Sequence, residues 1–287
     1  MKLVRTVDAL RTVLDAKRSG ATVGLVPTMG ALHRGHVALF AVARRESDVV
    51  VATIFVNPAQ FSEPSDLDRY PRQEAADAAL AERAGVDVLF VPPVAEVYPP
   101  GFATWIDVEG AAEGFEGEYR PGHFRGVATV CAKLFGMVGP DVAYFGQKDA
   151  QQVAVLRQLV RDLNLRLRIR VVPTVRESDG LALSSRNVHL SPEDRRRAAA
   201  IPRALRAGLK ARRDGEDPVE ATRRALEGLH AEYVGIAQFE GHPTLVVAVR
   251  LGTTRLIDNT PLDAPFESLD GAVTPGAVVP AAEVTHG

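Results

Sequence analysis

A strand–helix alternation with a regular rhythm runs through the first 175 positions of this chain and leaves few folds open to it. Ala21–Thr28 reads as a buried strand that runs out at Pro27, Gly30 sits in the turn that follows, and Gly35–Arg45 reads as a helix. Asp48–Val56 carries the continuous apolar run VVVATIFV, a helix over Arg72–Ala84 follows, and Val86–Val91 is a further strand. The pattern resumes with a helix over Val127–Val138, a short strand at Val142–Phe145, a helix over Asp149–Leu163 and a strand at Arg166–Val172. Ahead of it all, Val7, Leu10, Val13 and Leu14 have the spacing of one helix face within Val7–Arg18. Strands apolar on both faces and separated by helices predict right-handed βαβ units and a parallel sheet. The irregular stretch Pro92–Gly122 is long for a plain connector and suggests a cover over a site.

After Ser191 the style changes. Ser191-Pro192-Glu193-Asp194 and Asp217-Pro218-Val219-Glu220 each place a capping side chain, a proline and an acid where a helix begins. Strand candidates follow near Tyr233–Phe239, Leu245–Arg250 and Thr254–Asp258. The expected organisation is α/β: a Rossmann-like domain over 1–175, a small α+β domain over 176–266, and a disordered tail over 267–287. Apolar residues at 46% supply ample core, and a net charge of -2 offers no field for a nucleic-acid backbone, so no nucleic-acid partner is expected. The tract Arg195-Arg196-Arg197 reads as the exposed face of a capped helix. Cys131, the single cysteine, excludes an intrachain disulfide and reads as a small core residue. The start MKLVRTVDAL lacks a secretory apolar stretch, and nothing approaches the roughly 20 apolar residues of a membrane span, so a cytoplasmic location with no membrane partner is the expectation.

The sharpest chemical signal is Pro27-Thr28-Met29-Gly30-Ala31-Leu32-His33-Arg34-Gly35-His36. It stands where the first strand gives way to a helix, at the crevice end of a parallel sheet, and sets two imidazoles at a helix N-terminus that already favours phosphate. Either protonated or neutral, His33 and His36 can donate hydrogen bonds as charge builds at phosphorus. A single histidine there would read as structural; the pair between two glycines reads as functional. Asp179-Gly180 and Leu183-Ser184-Ser185-Arg186-Asn187 form the second signal, two hydroxyls and a guanidinium suited to closing over a polyphosphate. It gains weight only in company with the histidines. Phe145-Gly146-Gln147-Lys148-Asp149 is a third strand-to-helix junction, where Lys148 can neutralise phosphate and Asp149 can accept from ribose or simply cap a helix. Asn57, Gln60 and Gln152 are neutral amides able to orient a hydroxy acid without altering its charge; structural capping competes evenly with that reading. His123-Phe124-Arg125-Gly126 could lie over the site, and Asp77 is a candidate for holding Mg²⁺.

These residues also resemble a known family. PTMGALHRGH, TIFVNPAQF, DLDRYPR, RPGHFRGVATV, YFGQKDAQQ, VRESDGLALSSRN and LGTTRLIDN are similar, in this order and out to about Asn259, to the motifs of pantoate–β-alanine ligases (pantothenate synthetases). The histidine pair and serine loop alone would identify only the wider HxGH nucleotidyltransferases. The resemblance implies that the domain over 1–175 binds nucleotide and pantoate, and that the reaction has two steps. ATP and (R)-pantoate give pantoyl-adenylate and pyrophosphate, then β-alanine displaces AMP to give pantothenate. It implies that Met29, Gly30, Ala31, Leu32, His33, Arg34, Gly35 and His36 line the ATP site, together with Gly146, Gln147, Lys148, Asp149, Val175, Leu183, Ser184, Ser185 and Arg186. It further implies that His36 is a proton donor, that Gln60 meets pantoate and β-alanine and Gln152 pantoate, and that the protein is a homodimer. His33, His36, Lys148, Ser184, Ser185 and Arg186 would neutralise the developing charge with Mg²⁺. Gln147 stands where many relatives have Glu, and the segment about Gly235–Thr244 is shorter than usual for the family, so the smaller domain is expected to lack part of a strand or hairpin there. The rivals are an HxGH adenylyltransferase with a phosphorylated acceptor, which would want extra Lys or Arg near Asn57, Gln60 and Gln152, and an inactive nucleotide-binding module, which would have lost some of the phosphate-binding set.

Overall fold

The computed structural model describes residues 1–62, 64–264 and 266; the tail expected over 267–287 lies outside the described residues. In chain order the first half comprises β1 (Lys2–Val4), α1 (Val7–Asp15), β2 (Val23–Val26), α2 (Arg34–Glu46), β3 (Val49–Thr53), α3 (Pro64–Arg69), α4 (Glu74–Arg83), β4 (Val88–Phe90), α5 (Val94–Val97), α6 (Phe115–Tyr119), α7 (His123–Val138), β5 (Val142–Gly146), α8 (Ala150–Asp162) and β6 (Arg168–Val172). The second half adds α9 (Pro192–Ala198), α10 (Ala200–Asp214), α11 (Pro218–Ala225), β7 (His230–Phe239), β8 (His242–Leu251) and β9 (Thr254–Pro261).

The first half is the expected parallel sheet, six strands in the order β1-β4-β3-β2-β5-β6. Its apolar runs divide by the period of two. Val49 and Val51 face one layer with Val23 and Leu25, packed on α1, α7 and α8 through Leu10, Leu14, Cys131, Leu134 and Leu156. Val50 and Ala52 face the other, against Phe40 and Ala43 of α2 and Ala81 of α4. Both faces are covered, which is why the strands carry no polar alternation. β2 pairs β3 on one side and β5 on the other, so the chain leaves β2 in one direction and later returns to its opposite flank. Such a switch point opens a crevice at the strands' carboxyl ends. β1, an edge strand of only three residues, was not foreseen; it pairs β4 in parallel, Lys2 opposite Val88.

The smaller half packs α10 and α11 on an antiparallel sheet β7-β8-β9, burying Ile201, Leu205, Leu226, Leu245, Val247 and Val249. Both capping signatures hold: Ser191 accepts from the Asp194 N–H, and Asp217 from those of Val219 and Glu220. The short segment Gly235–Thr244 forms the end of a regular hairpin. β7 and β8 are each 10 residues long and turn through Glu240-Gly241, both at positive φ (54° and 84°), the two-residue connection that suits twisted strands. No helix among the described residues is long and apolar enough to cross a membrane.

The irregular stretch after β4 contains α5 and α6 and closes the crevice from above. Tyr98 stacks with Trp105 at 6.0 Å and meets Phe102 edge-on at 5.1 Å. Lys133 lies over the Phe102 ring and Arg125 over Trp105. On α6, Glu116 ties this cover to the smaller half: Arg255 donates to both its oxygens (2.5 and 2.8 Å) and the Tyr233 hydroxyl donates at 2.8 Å. Burial pushes the Glu116 carboxyl up, but the Arg255 hydrogen bonds and charge outweigh it and hold the group below its ordinary range.

Candidate active site

A cavity of about 250 Å³ occupies the switch point between β2 and β5. Its first wall follows β2. The Thr28 hydroxyl donates to the Thr53 carbonyl and accepts from the Gly30 N–H, folding the chain sharply after Pro27. Gly30 and Ala31 then both take positive φ (83° and 51°), which turns consecutive amides toward one side and creates a concavity for an anion. Asp77 fills it, accepting from the N–H groups of Ala31 and Leu32 at 2.8 Å each and from the Gln73 amide at 3.3 Å. The expectation that Asp77 holds Mg²⁺ is therefore corrected: the carboxylate is 2% exposed and its oxygens are taken by donors that fix the histidine loop.

The loop delivers His33 as the N-cap of α2 and His36 one turn on, ring centroids 4.2 Å apart. His33 Nδ1 accepts from the Gly35 N–H at 3.1 Å, and His36 Nδ1 accepts from the His33 N–H at 3.2 Å. An Nδ1 that accepts from a backbone amide leaves the ring proton on Nε2, so each neutral imidazole is an oriented Nε2–H donor. Burial, with Lys148 nearby, lowers the His33 pKa to about 4. Burial, with His33 and Lys148, lowers that of His36 to about 3. At neutral pH both rings are therefore uncharged and present N–H donors, not imidazolium ions, to the cavity.

The second wall follows β5. Lys148 reaches the cavity with its Nζ 3.3 Å from Asp149 Oδ1. Asp149 makes no side-chain cap to α8, so of the readings left open for it the capping one is not realised. Gln147 points away: its amide donates to Asn259 Oδ1 at 3.2 Å on β9. The third wall is the serine–arginine segment. Ser184 caps the turn by accepting from the Arg186 N–H, Asn187 reaches back to the Ala182 carbonyl, and Arg186 pairs with Asp66 at 3.2 Å. Arg195, read as part of an exposed tract, instead anchors this segment through Glu177 (2.9 Å) and Asp179 (2.6 Å).

The floor is built from amides. The Asn57 amide donates to Gln60 Oε1 (2.9 Å) and the Gly126 carbonyl (3.1 Å), while its Oδ1 accepts from the Ala59 N–H (3.3 Å) and the Tyr98 hydroxyl (2.8 Å). The hydrogen-bonding capacity of the side chain is thus fully used, and Asn57 orients Gln60 in place of the expected direct substrate contact. Gln60 is held from the backbone as well, its carbonyl accepting from His123 Nδ1 at 2.9 Å and from Arg120 at 3.3 Å. Burial and the Arg120 charge lower the His123 pKa to about 4, which keeps this ring neutral. Gly126 permits the approach of α7: a Cβ there would lie 2.2 Å from the Ala59 carbonyl oxygen. Among the described residues no protein group accepts from the Gln60 amide or bonds the Gln152 side chain, and both line the cavity with Phe55, Val127, Val130 and Leu134.

The structure thus gathers Met29, His33, Gly35, His36, Asn57, Gln60, Gly146, Lys148, Asp149, Gln152, Val175, Leu183, Ser184, Ser185 and Arg186 around one cavity. Gly30, Ala31 and Leu32 shape the loop from behind, and the Arg34 side chain is exposed outside the lining. Tyr70, Arg120 and Thr174 also line the cavity and were not singled out; Tyr70 and Arg120 fall within the family-like motifs DLDRYPR and RPGHFRGVATV, the signal that could have found them, while Thr174 lies outside any motif.

Comparison with known proteins agrees with this geometry. The family model described as pantoate-beta-alanine ligase matches residues 2–261. A pantothenate synthetase of Moorella thermoacetica is 48% identical, with 92% of this chain and 99% of that one covered. One from Rhizorhabdus wittichii is 51% identical over 90% and 98%. The crystal structure of pantothenate synthetase from Thermus thermophilus superposes with a TM-score of 0.87 at 47% identity, covering 91% of this chain and 99% of that one. A pantoate-beta-alanine ligase of Francisella tularensis, complexed with beta-gamma ATP and beta-alanine, superposes with a TM-score of 0.82 at 34% identity, covering 93% and 100%.

Proposed function

The chain belongs to the pantoate–β-alanine ligase family and condenses pantoate with β-alanine in an ATP-dependent reaction, and we propose that it does so through a pantoyl-adenylate held in the cavity between β2 and β5. The observation that carries this reading is the shared lining: two neutral histidines, Lys148 and Ser184–Arg186 face the same space as Gln60 and Gln152. In the first step a pantoate carboxylate oxygen attacks the α-phosphorus and the bond to pyrophosphate breaks. The carboxylate is already nucleophilic, so the step needs alignment and charge neutralisation more than a base. His33 and His36 supply Nε2–H donors, Lys148 and Arg186 fixed charge, and Ser184 and Ser185 hydroxyls. In the second step the uncharged amine of β-alanine adds to the acyl carbon and the bond to AMP breaks. Gln60, its amide aimed by Asn57, orients the acid and the incoming amine, and Gln152 the pantoate hydroxyls.

Mg²⁺ enters with ATP as the metal–nucleotide substrate. Among the described residues no group of three or more His, Cys, Asp or Glu side chains could hold a metal ion, and Asp77 is committed to the histidine loop. That donor set favours phosphate oxygens as the metal's ligands. In this reading residues 176–266 act as a lid on the larger domain over 1–175, and the protein is a cytoplasmic homodimer.

The test is ATP–pyrophosphate exchange driven by pantoate in the absence of β-alanine. Exchange that needs pantoate but no amine is the expected result, and His36→Ala should reduce it by about 10²–10³, the usual loss for one oriented donor. Exchange that requires a phosphorylated acceptor instead would support the rival adenylyltransferase and overturn the reading.

A further inference from the structure

Among the described residues Lys148 is the one ammonium in the cavity lining, yet its backbone is not held by its own domain alone. The Asn259 side chain, on β9 of the smaller half, donates through Nδ2 to the carbonyl oxygens of both Gln147 (3.0 Å) and Lys148 (2.8 Å), and its Oδ1 accepts from the Gln147 amide (3.2 Å). Asn259 is itself buried, and the bonds it makes are partly shielded from water. The preceding residue ties the same strand to another wall of the cavity. Asp258 receives a bidentate grip from Arg176 (2.6 and 3.0 Å), both side chains nearly fully buried, and its Oδ1 also accepts the Asn259 N–H at 2.8 Å. Arg176 follows directly on Thr174 and Val175, which line the cavity. One dipeptide of β9 therefore grips two chain segments beside the cavity, through a charge pair to Arg176 just past the domain boundary and through amide bonds to residues 147–148 of the larger half.

We propose that Asn259 is a positioning residue that makes Lys148 competent only while the smaller domain is docked. Without Asn259, two partly buried carbonyls lose their side-chain donor and the 147–148 turn is free to relax, carrying the Lys148 stem with it. A displacement of about 1 Å at a charge-neutralising group is enough to cost about 10²-fold in rate. The device couples chemistry to closure, since adenylation proceeds only when the half that contributes β9 sits against the half that contributes Lys148. The proposal rests on the assignment of Lys148 to the phosphates and adds what holds it there.

The test is pantoate-dependent ATP–pyrophosphate exchange with wild type, Asn259→Ala, Asn259→Ser, Lys148→Ala and the double variant Lys148→Ala/Asn259→Ala, each checked for an unchanged thermal transition. Asn259→Ala and Asn259→Ser should lower kcat by about 10- to 100-fold, with a smaller change in the KM for pantoate because Gln60 is held by Asn57, His123 and Arg120 on another wall. In the Lys148→Ala background, removal of Asn259 should cost less than about twofold more, since a residue acting through another has nothing left to position. Wild-type kcat in both single variants, or a loss that multiplies in full onto Lys148→Ala, overturns the proposal. If Asn259→Ala lowers the transition, Asn259→Ser and the cycle built on it decide. Absence of pantoate-dependent exchange in the wild type would instead defeat the assignment of function, so the two failures are separable.

Discussion

Around Gln60 every neighbour is fixed, whereas around Arg186 little is. The acid wall has Asn57 with its bonding capacity filled, His123 and Arg120 on the Gln60 backbone, and α7 pressed against it at Gly126. The nucleotide wall has Arg186 paired, among the described residues, only with Asp66, the two side chains 32% and 40% exposed, on a short helical turn tied to its surroundings by Asn187 and Arg195. The contrast follows from what each wall must do. A small hydroxy acid gives few contacts, so its orientation has to be built into the protein in advance. A triphosphate brings several charges of its own, and the groups that meet it gain by being able to open and release it.

The sharpest way to break this contrast is Arg186→Ala. If the nucleotide wall acts only on bound phosphate, kcat/KM falls by about 10²–10³, while the thermal transition stays in place because a half-exposed ion pair is worth about 0–1 kcal/mol. A clear drop in thermal stability would show that Arg186 is part of the scaffold and dissolve the distinction. Gly126→Ala probes the other wall and should do the opposite. The added methyl forces the α7 and 58–60 segments apart, costing about 1–3 kcal/mol of stability, and raises the KM for pantoate far more than that for ATP. Equal changes in both would mean that the walls are not independent.

The smallest effect is with pH. His33, His36 and His123 have folded-state pKa values lowered from 6.5 to about 4, about 3 and about 4. The unfolded chain therefore binds more protons than the folded one below about 6.5, and stability rises with pH through that interval. It is full above the unfolded value and is lost progressively as pH falls toward the folded ones. Nuclear magnetic resonance titration should find none of these three rings protonating between about pH 5 and about pH 8. An inflection near neutrality at His36 would require an imidazolium in the site.

The parallel sheet was legible because its signal is local and repeated: apolar runs such as VVVATIFV can be buried on both faces only between two helical layers. The histidine loop and the serine–arginine segment were legible as cavity-lining segments for a similar reason, since the residues each brings to the cavity lie within a few positions of one another. What the sequence hid is pairwise and distant. Asn259 and Lys148 are 111 residues apart, and Arg176 and Asp258 82 apart, so neither partner marks the other in the chain. Asp77 misled for a related reason. An isolated acid beside a nucleotide motif suggests a metal ligand, and only the positive φ of Gly30 and Ala31 reveals that the backbone itself needs the carboxylate. β1 escaped because three residues carry no period.

Trp105 is the chain's single tryptophan, and its indole stacks on Tyr98, whose hydroxyl terminates on the side chain that aims Gln60. The molecule thereby carries one indole fluorophore, wired by contact to the acid wall rather than to the serine–arginine segment. Emission excited at the indole band becomes a private channel for pantoate occupancy. Titrating pantoate should move the spectrum before any nucleotide is added, and ATP alone should leave it nearly still.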